Sequence, residues 1–303
     1  MSDVRTVAIV GLGLIGGSLA RDLTARGMTV MGRDADRKTE RDALDEGAIG
    51  EIIDDEYAAI ERAHWLVLAV PVGQAADVLA RARAHATTLE LVTDTGSTKL
   101  HIERVAVQCG LERSFVGSHP LAGDHRAGWR AARAGLFADA RAYICPAPGS
   151  SVRAVAAAEE LWRLCGARPE RIAADAHDRL LARTSHLPQL VASILALTLR
   201  DSSVDVEQLG PGGRDMVRLA ASSPELWSDI TRQNAANIRP ALALMAGRLA
   251  AVLDALAAGD DAVMDDLFRQ AQAWRGRQPG DPLAAAPEGT ATSFPTPESE
   301  DSP

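Results

Sequence analysis

Chemistry is written into several short stretches of this chain. Gly11, Gly13 and Gly16 stand as GLGLIGG directly after the apolar run TVAIV and before a helix-like segment. In that setting the first glycine permits a tight turn and the second lets the backbone approach a diphosphate. The third lets helix and strand pack closely. A diphosphate would rest on the amides that open the helix, those of Leu14 and Ile15 among them, where the dipole favours negative charge. Asp34, in MGRDAD at the end of the next strand, stands where a carboxylate accepts hydrogen bonds from an adenosine ribose. A 2′-phosphate would be repelled there, so NAD is expected as cofactor. Arg33 and Arg37 flank Asp34 and leave NADP open.

Three polar clusters follow at expected strand ends, where open α/β sheets bind ligands. LAVPVG brings Val70 and Pro71 toward the cofactor, TDTGSTK carries Asp94, Ser97 and Lys99, and GSHPLAGDHRAG carries His119, Asp124, His125 and Arg126. Dehydrogenation of an alcohol needs a base for the hydroxyl proton as hydride leaves the same carbon. Neutral imidazole suits that work near pH 7, which makes His119 the expected base. In the second half, His186 opens an apolar helix within SHLPQ, either facing a site or serving as a hydrogen-bonded core residue. GPGGRDMVRLA spaces Arg214 and Arg218 one helical turn apart, which suits bidentate capture of a carboxylate or an ordinary solvated surface.

These residues need a scaffold. Strand-like runs at Thr6–Val10, Thr29–Met31, Trp65–Val70 and Leu91–Thr93 alternate with helical spacers, with further strands expected from Phe115 and across Ala142–Cys145. That alternation predicts a doubly wound parallel sheet, an α/β fold, over residues 1–148. From Ser151 the pattern reads as helix after helix without a strand, which predicts an all-helical second domain over residues 149–277. Residues 278–303 are rich in Pro, Gly, Ser, Thr and Glu and read as a disordered tail.

Bulk composition bounds the function. The 303 residues allow two cores, 47% apolar content is ordinary for a globular protein, and a net charge of -9 without a basic stripe argues against nucleic acid. The polar start reads as having no signal peptide, and Leu187–Leu199 reads as too short for a bilayer, so no membrane is expected. Cys109, Cys145 and Cys165 show no metal or redox spacing, so no metal is expected and reduced thiols in the cytoplasm fit.

Taken together, VGLGLIGGS, LAVPV, TDTGSTK, SHPLAG followed by GLF, TSHLP, and GGRDMVRLA with Trp227 downstream resemble the prephenate/arogenate dehydrogenase family over residues 5–275. The resemblance implies a Rossmann-type domain followed by a helical dimerisation domain, a homodimer, and NAD-dependent oxidative decarboxylation of prephenate. Arogenate or dual use is the alternative. It assigns His119 as catalytic base and Ser97 as the serine that assists it. It places Ser185 and His186 near nicotinamide and substrate, Arg218 on a substrate carboxylate, and Trp227 near the site. Two departures fall where the substrate side chain is expected. Gln189 stands where many relatives have a second histidine, and Asp124-His125 where they have Thr or Ser followed by Glu. Asp124 could pair with an ammonium, which would suit arogenate. Hydroxy-acid and imine reductases share the layout, but the chain has no lysine after Cys165 for the lysine-dependent type. From another class, a catalytically silent dinucleotide-binding protein also fits the glycine turn.

Overall fold

The structure, a computed structural model, describes residues 5–123 and 126–276. By packing, the chain divides into two bodies, Met1–Leu244 and Met245–Pro303.

The first body opens with β1 (Thr6–Val10), α1 (Leu14–Ala25), β2 (Thr29–Arg33), α2 (Arg37–Asp45) and β3 (Glu51–Ile52). It continues with β4 (Trp65–Leu68), α3 (Val72–Ala82), β5 (Leu91–Asp94) and α4 (Leu100–Gln108). These five strands form one parallel sheet in the order β3-β2-β1-β4-β5. Chain direction in strand order reverses between β1 and β4, and the crevice at such a point is where open α/β sheets bind ligands. Both faces are covered, so the strands read as unbroken apolar runs and their alternation assigns each residue to a face. Val7, Ile9, Trp65 and Val67 pack with Leu19 and Leu23 of α1 on one side. Ala8, Val10, Leu66 and Leu68 pack with Leu79 of α3 and Ile102 of α4 on the other.

Next come β6 (Val116–Pro120), β7 (Arg141–Pro146), α5 (Val152–Leu164) and β8 (Arg168–Arg171). β6 pairs antiparallel with β7, and β7 parallel with β8, in a second three-stranded sheet. α5 buries Ala154, Leu161 and Trp162 in the same core as β1 and β4. The expectation that no strand follows Ser151 is therefore corrected at β8. Its sequence, RPER, has no apolar alternation because it is an edge strand. Pro169 lacks an N–H to offer a further neighbour, and Glu170 instead reaches Arg141 on β7 at 2.9 Å. The expected boundary at residue 148 falls before α5 and β8, which both pack on the N-terminal sheets.

The helical part begins with α6 (Ala174–Leu181), a π-helical turn (Ala182–His186) and α7 (Leu187–Asp201), forming one rod. Pro188 has no N–H for the carbonyl four residues back and its ring crowds that turn. The ladder opens to a π-turn in which the Leu187 amide donates to the Ala182 carbonyl. α8 (Pro211–Val217), α9 (Pro224–Gln233) and α10 (Ala235–Ala258) follow, and α11 (Asp261–Arg275) lies in the second body.

By length and composition two helical stretches could cross a bilayer, Ala174–Asp201 with 28 residues and Ala235–Ala258 with 24. The reading of 187–199 as too short is thus corrected, since the helix begins at Ala174. The first stretch nevertheless carries buried His177, Asp178, His186 and Gln189, whose hydrogen bonds end inside the protein, as in a core helix.

Candidate active site

The strand ends converge on two clefts of the first body. The first, about 330 Å³, is lined by Gly11, Gly13, Arg33, Asp34, Tyr57, Val70, Pro71 and Arg81 among others. Gly11 turns the chain with φ +93°, and a Cβ there would lie 2.3 Å from the Ala69 carbonyl oxygen. Gly16 lies beneath the turn, where a Cβ would come within 1.8 Å of the Gly11 oxygen. Around Gly13 a Cβ would meet nothing within 4 Å, so that position is open toward the cleft. α1 starts at Leu14 and Ile15 with no side-chain cap and no acidic residue in its first turn, leaving its first amides for an anion.

Asp34 accepts a hydrogen bond from the Leu12 amide at 2.7 Å and from the Asp36 amide at 2.9 Å, which holds its carboxylate at the lip of the glycine turn. The two arginines that left NADP open are engaged elsewhere. Arg33 pairs with Asp55 at 2.7 Å, and Arg37 pairs with Glu40 at 3.0 Å and with Asp55. The open second glycine, the packed third glycine, the uncapped helix and the carboxylate together fit a dinucleotide.

The second cleft, about 460 Å³, is lined by Ser97, His119, Tyr143, Ser185 and Trp227, with Arg141 among the remaining residues. Ser97 follows the C-terminal end of β5, and His119 stands near the end of β6. A parallel bridge between Val92 and Phe115 sets β6 beside β5, so both residues sit at the end of the sheet that carries the glycine turn. Ser185 comes from the π-turn and Trp227 from α9.

Behind His119 lies a buried polar chain. Its Nδ1 is 2.9 Å from His177 Nε2, and His177 Nδ1 is 2.8 Å from Asp178 Oδ1. Asp178 also accepts from the Lys99 amide at 2.8 Å and the Leu100 amide at 3.0 Å. Burial pushes the Asp178 carboxyl up, but His177 and these two amides outweigh it and hold the group below the usual range. Burial, with His177, Lys99 and His186 nearby, keeps His119 well below the ordinary histidine range, so its imidazole is neutral. Beneath it, Lys99 Nζ donates to Asp94 Oδ2, and both side chains are almost fully buried.

His186 is also fully buried and is pushed down to about 4 by that burial. Asn234 Nδ2 donates to its Nδ1 at 3.1 Å, so the ring proton sits on Nε2, an atom without a hydrogen-bond partner among the described residues. Its ring meets the Trp227 ring edge-on at 5.8 Å.

The structure thus gathers Ser97, His119, Ser185 and Trp227 in one cleft, and Gly11, Gly13, Asp34, Val70 and Pro71 in the other. Gln189 is placed differently. Its amide donates to the Leu219 carbonyl at 2.8 Å, securing the turn that carries Arg218, and its oxygen is 3.4 Å from Ser222 Oγ. Arg218 itself is exposed and does not line the cleft. Arg214 spends its guanidinium on the carbonyls of Leu209 and Glu207. Asp124 lies outside the described residues. Sequence reasoning missed His177 and Asp178, which are 58 positions and more from their partner, and it missed Arg141 and Tyr143. Alternation along β7 carried a signal for the last two, since RAYICP sets both on one face.

Comparison with known proteins follows the same division. The prephenate dehydrogenase nucleotide-binding domain model matches residues 19–171, and the prephenate dehydrogenase dimerization domain model matches residues 173–271. A cyclohexadienyl dehydrogenase of Zymomonas mobilis is 33% identical over 90% of this chain and 95% of its own length. A prephenate dehydrogenase of Bacillus subtilis is 32% identical over 76% of this chain, which spans only 64% of that longer protein. The crystal structure of a prephenate dehydrogenase from Aquifex aeolicus superposes with a TM-score of 0.80 at 25% identity, covering 89% of this chain and 98% of that one. An N-terminal dinucleotide-type sheet, a helical C-terminal part and these matches across both lead to one conclusion: the chain belongs to the prephenate dehydrogenase family.

Proposed function

We propose that this protein converts prephenate to 4-hydroxyphenylpyruvate by NAD-dependent oxidative decarboxylation. The observation that carries the proposal is His119. It is a neutral, buried imidazole with Nδ1 engaged from behind, so that Nε2 is its available base, in a cleft that also holds Ser97, Ser185 and Trp227.

Gly11, Gly13 and Gly16, the amides of Leu14 and Ile15, Asp34, Val70 and Pro71 would hold NAD, which when bound supplies the two-electron acceptor. The commitment of Arg33 and Arg37 to Asp55 and Glu40 favours NAD over NADP. His119 takes the ring hydroxyl proton on Nε2 as the carbonyl develops, and Ser97 hydrogen-bonds the same oxygen. His186 offers its unpartnered Nε2–H, and Trp227 and Tyr143 wall the ring and exclude water. Arg141 lines the cleft while also meeting Glu170, and we assign one substrate carboxylate to its guanidinium. With the carbonyl conjugated to the ring, the carboxylate para to it leaves as CO2, and aromatisation makes the step effectively irreversible.

Exposed Leu249, Leu253 and Leu256 recur at helical spacing on α10, and Phe268 and Trp274 are exposed on α11. We propose that a second copy of the chain covers them in a homodimer, in keeping with the dimerization-domain match, and that the enzyme is cytoplasmic with its thiols reduced. Arogenate is the second reading, favoured by the likeness to a cyclohexadienyl dehydrogenase along nearly that protein's whole length.

The test is NADH formation with prephenate and with arogenate, each offered NAD and NADP. Replacing His119 by Asn should lower turnover by about 10²- to 10⁴-fold and leave NAD affinity nearly intact. Full activity in that variant, or no turnover of either substrate by the wild type, refutes the assignment.

A further inference from the structure

His177 is fully buried, yet it is the only described group that meets the inner nitrogen of His119. The hydrogen-bond chain has a forced direction. Asp178 receives backbone N–H groups from both Lys99 and Leu100, and a carboxylate held in that way is ionised and can only accept. His177 Nδ1 must therefore carry a proton toward Asp178. A neutral His177 then has a bare Nε2, which can only accept, and His119 Nδ1 must donate to it. One proton is left to place on each neutral ring, so His119 Nε2 is bare.

We propose that His177 and Asp178 are positioning residues that fix His119 in the tautomer of a base and share the positive charge it acquires. The inference rests on His119 being the base. In the step, the substrate O–H bond breaks and a bond forms from that proton to His119 Nε2. The resulting imidazolium keeps its Nδ1–H directed at His177, and the charge spreads over two rings opposite the Asp178 carboxylate. No proton leaves the site by this route, because His177 has no contact with solvent. The chain stabilises charge and does not conduct it.

The surroundings show why a charge partner matters. Lys99 from the start of α4 and His186 from the π-turn both disfavour a charged His119, while Asp94 at the end of β5 is already occupied by Lys99. Tyr143 of β7 packs edge-on against His177 at 5.5 Å and carries Arg141 on its hydroxyl at 3.1 Å. Asp178 is the anion left to balance protonation of the His119–His177 pair.

Three variants test this in the full-length protein with prephenate and NAD. His177→Phe removes the acceptor while keeping a ring. It should lower kcat about 100-fold or more, the lower end of a general base's usual contribution, with KM for prephenate changed far less. Asp178→Asn should do at least as much. Its amide would turn toward His177, reverse both tautomers and put a proton on His119 Nε2. His177→Gln sets an amide oxygen near the position of Nε2 and should recover at least tenfold over the Phe variant. With nothing left to balance the charge on His119, the acid limb of the kcat profile should move to lower pH in the Phe and Asn variants relative to wild type. Nitrogen-15 NMR of the wild type should show the resonance that His119→Asn abolishes in the Nδ1–H form. That spectrum decides the matter if a variant does not fold. A folded His177→Phe with wild-type kcat and pH profile, or an Nε2–H tautomer for His119, overturns the proposal. Full activity in His119→Asn would instead remove the base assignment on which it stands.

Discussion

Lys99→Met places the sharpest demand on the packing described above. Lys99 and Asp94 have side chains 1% and 3% exposed, so neither charge has water to fall back on. Asp94 Oδ2 takes the lysine and the Gly96 amide at 2.9 Å, while Oδ1 faces the Ser118 amide at 3.3 Å. Methionine fills nearly the same volume but leaves the carboxylate with two neutral donors and no cation. Breaking a buried pair from one side costs about 3–5 kcal/mol, because the remaining charge is uncompensated. Total stability for a globular protein is about 5–15 kcal/mol, so the loss is a large fraction of it. At roughly 2–4 °C per kcal/mol for a body of this size, Tm should fall by about 10 °C.

The double variant Asp94→Asn, Lys99→Met removes both charges. Its asparagine oxygen can still accept one of the two amides, so no charge is left uncompensated. The cost shrinks to that of neutral donors without acceptors, the other amide and the asparagine N–H, about 1–3 kcal/mol. Urea unfolding followed by circular dichroism and tryptophan fluorescence measures both. A loss under about 1 kcal/mol in the single variant refutes the argument. So does a double variant that is as unstable as the single.

Other outcomes follow from the same geometry. Gly13→Ala should fold normally, since a Cβ meets nothing there, and should lose NAD affinity. Gly16→Ala should lose stability by about 1–3 kcal/mol or more, because its Cβ has no room beside the Gly11 oxygen; equal melting temperatures for the two would contradict this. Asp34→Asn should weaken NAD binding and narrow the gap to NADP, measured as Kd for each cofactor by fluorescence titration; unchanged Kd values would count against its ribose role. Acid should destabilise the fold through its buried histidines. His186 is held down at about 4, and the unfolded chain's histidines titrate near 6.5. Between those values the unfolded state binds more protons, so stability rises with pH and is lost as pH falls through the window. At about 1.4 kcal/mol per pH unit, His186 alone accounts for about 3 kcal/mol, and His119 and His177 act in the same direction. Urea midpoints that stay flat from pH 7 to pH 4 would refute this.

Much of the fold was legible because its signals are local. TVAIV, WLVLAV and the glycine turn announce buried parallel strands and a strand-to-helix turn, since burial on both faces leaves no room for polar alternation. β8 was not legible, because an edge strand of Arg, Pro, Glu and Arg needs only one neighbour and no core. The helical stretch from Ala174 to Leu199 was legible in its apolar spacing, but the π-turn within it was not, because Pro188 removes one N–H without ending the helix. In the site, His119 and Ser97 could be read from the strand-end turns that aim them. Gln189, read as a substrate contact, instead secures the turn at Leu219.

The sequence by itself determined that this chain has a dinucleotide turn, a carboxylate at Asp34, and a histidine and serine at neighbouring strand ends. Those are properties of short segments with fixed backbone geometry. Only the tertiary structure decided which nitrogen of His119 faces a partner and which is left bare. That depends on His177 and Asp178, which arrive from a helix 58 residues away, and on burial deep enough to keep the His119 and His177 rings neutral. A tautomer is set by partners, and partners are set by packing.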